Sequence, residues 1–314
     1  MKKVLICSQN GLGDLFFALF LAKNLHLHGK EVTLYYGSGS TLNTLTPYCE
    51  ILAYPKEDAV ELDLETYTAI YVFYNQDKPY IQKLVDQGKK SYKDKIFILY
   101  PYPTSYVKLK PYYDDSEINP EISFFENIQN FLRKKVEVTH PITTDLLPID
   151  DGEKHNNTVV FHVTSSNPSK DWPIKKFMRL ADRLKKRGYQ VHFITKEKKY
   201  FEKEWKWLKD LGYQVPIFEN LLEMKEFLSQ ASLVIGVDSG ICHFASVLKV
   251  PTIVIGRREK ILRFWQPMWA KSAYVIPSKW VPNLRLFRIR DKFWKNLVSI
   301  SSVEKKALEF LTNT

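Results

Sequence analysis

Val4-Leu5-Ile6-Cys7-Ser8-Gln9-Asn10-Gly11-Leu12-Gly13-Asp14 puts four apolar residues, a polar turn with two glycines and one acidic residue ahead of a long apolar run. A short apolar run bounded by turn signals suits a buried strand, and glycine lets the backbone turn sharply or approach a ligand closely. The stretch from Asp14 to His26 then reads as a helix. A strand that turns directly into a helix is the start of a βαβ unit, so this segment places the chain in the α/β class, with a parallel sheet and crossover helices.

Outward from it, strands are expected at Val4–Cys7, Glu31–Tyr36, Ala69–Phe73 and Lys95–Tyr100, a Rossmann-like half covering residues 1–150. From Thr139 to Asn157, the pairs His140-Pro141, Leu147-Pro148 and Asn156-Asn157 flank Asp150-Asp151-Gly152 without hydrophobic periodicity, which reads as an interdomain linker. A second Rossmann-like half, residues 151–300, follows. Its strands are expected at Thr158–Val163, Gln190–Thr195, Ser232–Asp238 and Val250–Gly256, and its helices over Ile174–Arg187, Leu222–Ala231 and Cys242–Leu248. The first of these helices is well marked: Ile174, Phe177, Met178, Ala181 and Leu184 recur at helical spacing, Pro173 suits its first turn and Gly188 stops it. Residues 301–314 are expected to form a terminal helix whose face of Val303, Ala307, Leu308 and Leu311 packs back on the first domain. Two such halves facing each other enclose a cleft, and open α/β sheets bind ligands beyond the carboxyl ends of their strands.

Composition narrows the class. A chain of 314 residues suits two domains, each with its own core. With 45% hydrophobic and 26% charged residues it is neither disordered, collagen-like nor coiled coil. The longest apolar run, Leu15–Ala22, has eight residues, against roughly 20 for a membrane-spanning helix. Asp14 interrupts what would be the apolar part of a signal peptide, so none is expected. Cys7, Cys49 and Cys242, odd in number and widely spaced, form neither a disulfide framework nor a zinc ligand set, and a cytoplasmic setting is expected. The net charge of +11 points to an anionic partner: nucleic acid, an acidic membrane face or a phosphorylated metabolite.

Three strand-to-helix junctions carry candidate chemistry. At the first, Gly11 and Gly13 lack the third glycine of the dinucleotide fingerprint, because Phe16 occupies its place. Asp14 there reads either as the first-turn acid of a helix or as a general base held on a rigid corner. The second runs from His162 through Val163-Thr164-Ser165-Ser166-Asn167-Pro168-Ser169-Lys170-Asp171-Trp172-Pro173 into a helix. Hydroxyls, backbone N–H groups and a lysine together suit phosphate, although a capped helix beside a solvated lysine has the same composition. The third is Val237-Asp238-Ser239-Gly240-Ile241-Cys242-His243, where Ser239, the glycine and the unpaired N–H groups of a helix start could hold a pyrophosphate without metal. His243 fits a ligand role and a packed core histidine equally.

Taken together these motifs resemble glycosyltransferase family 9, the bacterial heptosyltransferases of lipopolysaccharide core synthesis that use ADP-heptose. The shared features are Gly11-Leu12-Gly13-Asp14 ahead of a helix, Lys170-Asp171-Trp172-Pro173 opening another, and Asp238-Ser239-Gly240-x-x-His243 after a strand, in the family's order and over most of the chain. The resemblance implies an inverting enzyme of the GT-B type, with the acceptor on the first domain and the ADP-sugar on the second. It makes Asp14 the catalytic base, with Gly11 and Gly13 in an acceptor-side loop. Lys170 becomes the lysine on the donor phosphates, with Thr164, Ser165, Ser239 and Gly240 on the phosphate side and Asp238 and His243 completing the later motif. Glu219 to Met224 matches the nucleoside loop. The family's histidine and proline after the aspartate are replaced by Leu15-Phe16-Phe17-Ala18-Leu19, a departure that bears on the acceptor. No Asp-x-Asp motif is present, so metal independence is expected, with no cofactor beyond the nucleotide-sugar co-substrate.

From Arg257 to Lys295 eleven basic residues stand against Glu259 and Asp291, with eight aromatics among them. Such a mixture suits an anionic membrane face, a glycolipid acceptor or single-stranded nucleic acid, and equally a solvated basic surface. Arg257, directly after an expected strand, is placed for the ligand. A second basic, tyrosine-rich stretch, Lys78 to Tyr113, is a candidate border of the acceptor side. Two other functions stay open at this point: a nucleotide-sugar epimerase or hydrolase on the same architecture, and a basic nucleic-acid-binding protein, which no recognised motif supports.

Overall fold

The structure, a computed structural model, describes residues 2–37, 41–54, 64–74, 79–99, 118–149, 157–194, 202–283 and 288–312. The chain divides into two compact units, Met1–Pro148 and Ile149–Thr314.

The first unit runs β1 (Lys2–Cys7), α1 (Leu12–Leu27), β2 (Lys30–Tyr35), β3 (Glu50–Leu52), β4 (Ala69–Phe73), α2 (Pro79–Ser91), β5 (Ile96–Leu99) and α3 (Phe124–Lys134). Its strands are all parallel, in the order β3-β2-β1-β4-β5. Val4 to Cys7 are buried in the central strand, which is why they read as a continuous apolar run rather than an alternating one. The run Leu15–Ala22 is also buried throughout. Helix α1 is covered on several sides: Phe17 meets Phe124 edge-on at 5.0 Å and Phe20 stacks on Phe125 at 4.5 Å, both from α3. Asn24 ties it to Thr143, donating to the Thr143 carbonyl (3.1 Å) and accepting from the Thr143 N–H (2.9 Å). A helix apolar all round is a core helix, not an amphipathic surface one.

The second unit runs β6 (Thr158–His162), α4 (Ile174–Lys185), β7 (Gln190–Ile194), α5 (Glu202–Asp210), α6 (Leu221–Ser229), β8 (Leu233–Val237), α7 (Gly240–Val247), β9 (Thr252–Ile255), α8 (Glu259–Phe264), β10 (Ser272–Val275), α9 (Ile289–Lys292), α10 (Trp294–Leu297) and α11 (Ile300–Leu311). The sheet is again parallel, ordered β10-β9-β8-β6-β7. Helix α11 spends its apolar face on this unit: Val303, Ala307 and Phe310 join a core with Phe177, Leu180 and Leu184 of α4 and Leu233 and Ile235 of β8. That use differs from the expected packing on the first domain. Of the expected linker, residues 139–149 contain no helix or strand, and 150–156 lie outside the described residues, as do Tyr100 to Tyr113 of the tyrosine-rich stretch and Arg285 of the basic one. Among the described residues no helix is long and apolar enough to cross a membrane.

Candidate functional site

In each sheet the winding reverses once, between β1 and β4 in the first and between β6 and β8 in the second. Such reversals leave a crevice at the strands' carboxyl ends, because the helices that follow lie on opposite faces. In the second unit the crevice is bounded by the residues that follow His162 and Val237. Strand β6 is buried along its whole length and ends in His162, directly across from Gly236 of β8. A Cβ at Gly236 would come within 2.7 Å of Cys242 Sγ and 3.2 Å of the His162 carbonyl oxygen, so only glycine lets α7 start this close to the sheet. Ser239 is the N-cap of α7 in extended conformation, and its Oγ lies 2.9 Å from His162 Nδ1.

After β6 the loop folds on itself. The Ser165 hydroxyl lies 2.7 Å from both the Asn167 carbonyl and Asp171 Oδ1, and Asn167 accepts from the Ser169 N–H. Burial raises the Asp171 carboxyl above its ordinary value, against the hydrogen bond from Ser165. The motif Lys170-Asp171-Trp172-Pro173 then divides its labour. Trp172 is sunk in the core and donates Nε1–H to the Val298 carbonyl (3.4 Å). Pro173 opens α4, from which Lys176 donates to the carbonyls of Lys295, Asn296 and Val298 at 2.8–2.9 Å. Lys170 instead turns outward, its Nζ 2.8 Å from Asp238 Oδ2.

Lys170 and Asp238 line an open pocket with Asn167, Arg257, Arg258 and Trp294. The Lys170 side chain is 48% exposed, and an ion pair that open to water is worth less than about 1 kcal/mol. A phosphate can therefore displace Asp238 from the ammonium at little cost. Arg258 is held differently: its Nε and a terminal nitrogen approach Asp291 Oδ2 at 3.0 and 2.9 Å, and Arg288 reaches the same oxygen at 3.2 Å. Burial and the neighbouring Arg258 lower the affinity of Arg257 for its proton. Two outward cations in one open pocket, beside Asp238, suit a di-anionic group chemically.

Behind this pocket Asp238, Ser239 and His243 line a smaller one. His243 is buried, its ring 5.9 Å from that of Trp269. Burial lowers its pKa to about 4, outweighing the attraction of Asp238, so the imidazole is neutral at pH 7. Cys242 is buried and its thiol is pushed up to about 12, which keeps it protonated and unreactive.

In the first unit Asp14 stands at the third position of α1, after the N-cap Gly11. A Cβ at Gly11 would lie 2.3 Å from Asp14 Oδ2, so the carboxylate folds back over the glycine. Asp14 is half-buried, and the Ser8 hydroxyl donates to its carbonyl (3.3 Å). Tyr36 is near: its hydroxyl donates to the Asn10 carbonyl (3.2 Å), and burial with the Asp14 charge raises its pKa to about 12. Gln9 donates to the Tyr74 carbonyl at 3.2 Å, bracing the end of β1 against that of β4.

The structure thus places Lys170 and Asp238 in one pocket and Asp238, Ser239 and His243 in a second, with Asp238 common to both; Gly240 and Thr164 line neither, and Thr164 is buried. Ser165 is committed to its own loop, and Asp14, Gly11 and Gly13 form a corner of the first unit. Glu219 and Met224 are absent from both pocket linings: Met224 is buried, and the Glu219 N–H donates to Glu223 Oε2 (2.9 Å) beside the Asn220 cap of α6. Sequence reasoning counted Arg258 and Trp294 only within the basic, aromatic stretch and His162 only as the head of the second junction, and gave none of them a role of its own. For His162 a signal was present, a polar residue ending an otherwise apolar strand. Among the described residues no three of His, Cys, Asp and Glu gather as metal ligands.

Residues 113–281 match glycosyltransferase family 9 (heptosyltransferase). No curated protein matches the chain. Among solved structures it is similar to ADP-heptose LPS heptosyltransferase II of E. coli, at 15% identity over 100% of this chain and 99% of that one, TM-score 0.68. It is also similar to the E. coli heptosyltransferase WaaC with ADP, at 13% identity over 98% and 99%, TM-score 0.67. A family 9 glycosyl transferase from Veillonella parvula gives 14% identity over 100% and 98%, TM-score 0.69.

Proposed function

The chain belongs to glycosyltransferase family 9, and from that premise we propose that it transfers a heptose from ADP-heptose, with inversion and without a metal ion, onto a lipopolysaccharide core or related surface glycan. The observation that carries the reading is the pocket where Lys170 and Arg257 meet Asp238, two residues ahead of α7. The similarity to a heptosyltransferase with bound ADP agrees with it. In this reading Asp14 accepts the proton of the acceptor hydroxyl. The acceptor oxygen then attacks the anomeric carbon on the face opposite the diphosphate, and the bond to ADP breaks with its electron pair leaving on the phosphate oxygen. Lys170, Arg257 and the N–H groups of α7 stabilise that charge. No cofactor takes part.

The acceptor's partner surface in this reading is an anionic membrane face. Trp280 is 94% exposed in a turn beside exposed Lys279, with exposed Ile289 and Phe293 and the Arg288 guanidinium in the adjoining segment. Aromatic and basic groups together are what an acidic interface attracts. Sedimentation with phosphatidylglycerol vesicles, lost in phosphatidylcholine and in the Trp280→Ala variant, is the expected behaviour; equal binding to both lipids removes this part of the reading.

The deciding experiment is calorimetric titration with ADP, UDP, GDP and CDP, with and without EDTA. Selective ADP binding that survives EDTA is expected, and the anomeric configuration of the product, read by NMR, tests inversion. Selectivity for another diphosphate discards heptose as the leading donor, and dependence on a metal discards that part of the mechanism. Donor breakdown without any acceptor transfers the assignment to an epimerase or hydrolase. Salt-dependent RNA or DNA binding with no nucleotide binding gives it to the nucleic-acid reading.

A further inference from the structure

Ser239 occupies the capping position of α7 without capping it. A serine there ordinarily accepts from an N–H two or three residues on, which stabilises a helix by about 1 kcal/mol. Here the hydroxyl makes no such bond. It is held at 2.9 Å by Nδ1 of His162, a buried imidazole 77 residues earlier in the chain, on the neighbouring strand. We infer that His162 is a positioning residue for anion binding, which draws the Ser239 hydroxyl off the helix and turns its proton toward a phosphate oxygen. The inference rests on the diphosphate reading of the crevice and extends it to a residue that lines neither pocket.

The chemistry selects the tautomer. A hydroxyl has one proton, and if Nδ1 accepted it, Ser239 would face the ligand with lone pairs and repel a phosphate oxygen. With the proton on Nδ1, the imidazole donates to Oγ and the Oγ–H, otherwise directed at the Cys242 sulfur, can turn to the ligand. The same arrangement leaves the Ile241 N–H without the serine cap, at the positive end of the helix dipole, while the Cys242 N–H bonds the Ser239 carbonyl. One hydrogen bond across the two strands thus frees two donors in one place, the Ser239 hydroxyl and the Ile241 N–H.

The test is ADP and pyrophosphate affinity of the full chain by calorimetry, with thermal melting to confirm folding. His162→Leu and Ser239→Ala should each weaken ADP about tenfold, and the double variant no further, because the two residues act through one hydroxyl. His162→Asn, whose amide N–H reaches the place of Nδ1, should restore affinity. His162→Gln, which puts its donor at the other nitrogen's place, should not, and it serves where the leucine variant fails to fold. The nitrogen-15 spectrum of the ADP complex should show His162 protonated on Nδ1. Full affinity in a folded His162→Leu or His162→Gln protein, additive losses, or a proton on Nε2 overturns the inference. Should the unaltered protein bind ADP and pyrophosphate while the His162 variants bind them equally well, only this inference fails. Should it bind neither, the diphosphate reading fails and takes this inference with it.

Discussion

A single carboxylate, Asp14, carries the proposed proton transfer, and its surroundings define how it should fail. Asp14→Asn keeps size and helix position but cannot accept the proton, so turnover should fall by about 10²–10⁴-fold while ADP affinity stays; unchanged turnover removes Asp14 from the mechanism. Gly11→Ala should mimic part of that loss, since the new methyl displaces the carboxylate. His243 gives a prediction in pH. Its ordinary pKa of 6.5 falls to about 4 in the fold, so below 6.5 the unfolded chain binds the proton first. Stability is complete above 6.5 and is lost as pH falls toward 4, by on the order of 3 kcal/mol at the limit. Urea melts between pH 7 and 4 should show this slope in the parent and less of it in His243→Gln. At this scale the sequence was legible as position: Asp14, Asp238 and Ser239 fall at strand-to-helix junctions and Lys170 just ahead of a helix, as their motifs implied. It was silent where the job depends on a distant partner. Nothing near Arg258 announces Asp291, 33 residues on, and nothing near Ser239 announces His162.

Among the elements, the short helices α9 and α10 have no core of their own and are held by side chains from elsewhere. Asp291 is buried under Arg258 and Arg288, and Lys176 collects three carbonyls around the end of α10. Asp291→Ala leaves Arg258 without its counter-ion and should cost about 2 kcal/mol, less than for a fully buried pair because Arg288 is open to water. The pocket proposed for ADP should loosen with it, since Trp294 lines that pocket. Equal urea midpoints for parent and variant contradict this. Regular elements were read from sequence when their pattern was long: the apolar positions of α4 at three- and four-residue spacing found it within two residues of its end. The edge strands β3 and β10, of three and four residues, were missed, because so short a run at a sheet edge has neither a continuous apolar stretch nor a period to count.

On the scale of the whole molecule, the two units each carry a parallel sheet and a separate hydrophobic core. Every residue placed on the proposed diphosphate lies in the second unit together with the core that supports it. Residues 149–314 expressed alone should therefore melt cooperatively and bind ADP within about threefold of the full chain, but transfer no sugar. A fragment that folds and ignores ADP indicates that the first unit completes the pocket. The charge balance also belongs to this scale. It was legible as an expectation of an anionic partner, but where the charges collect depended on the fold, which sets Lys170 beside Arg257 although 87 positions separate them in the sequence. The bond between His162 and Ser239 has one more consequence, in time. Strand β6 pairs with β7 after a short crossover, but reaches β8 only by closing a chain segment of over 70 residues. Long closures come late in folding, since their entropy must be met before any contact rewards them. The crevice is then among the last features to form, so the nucleotide proposed to bind there should slow unfolding while leaving the refolding rate alone.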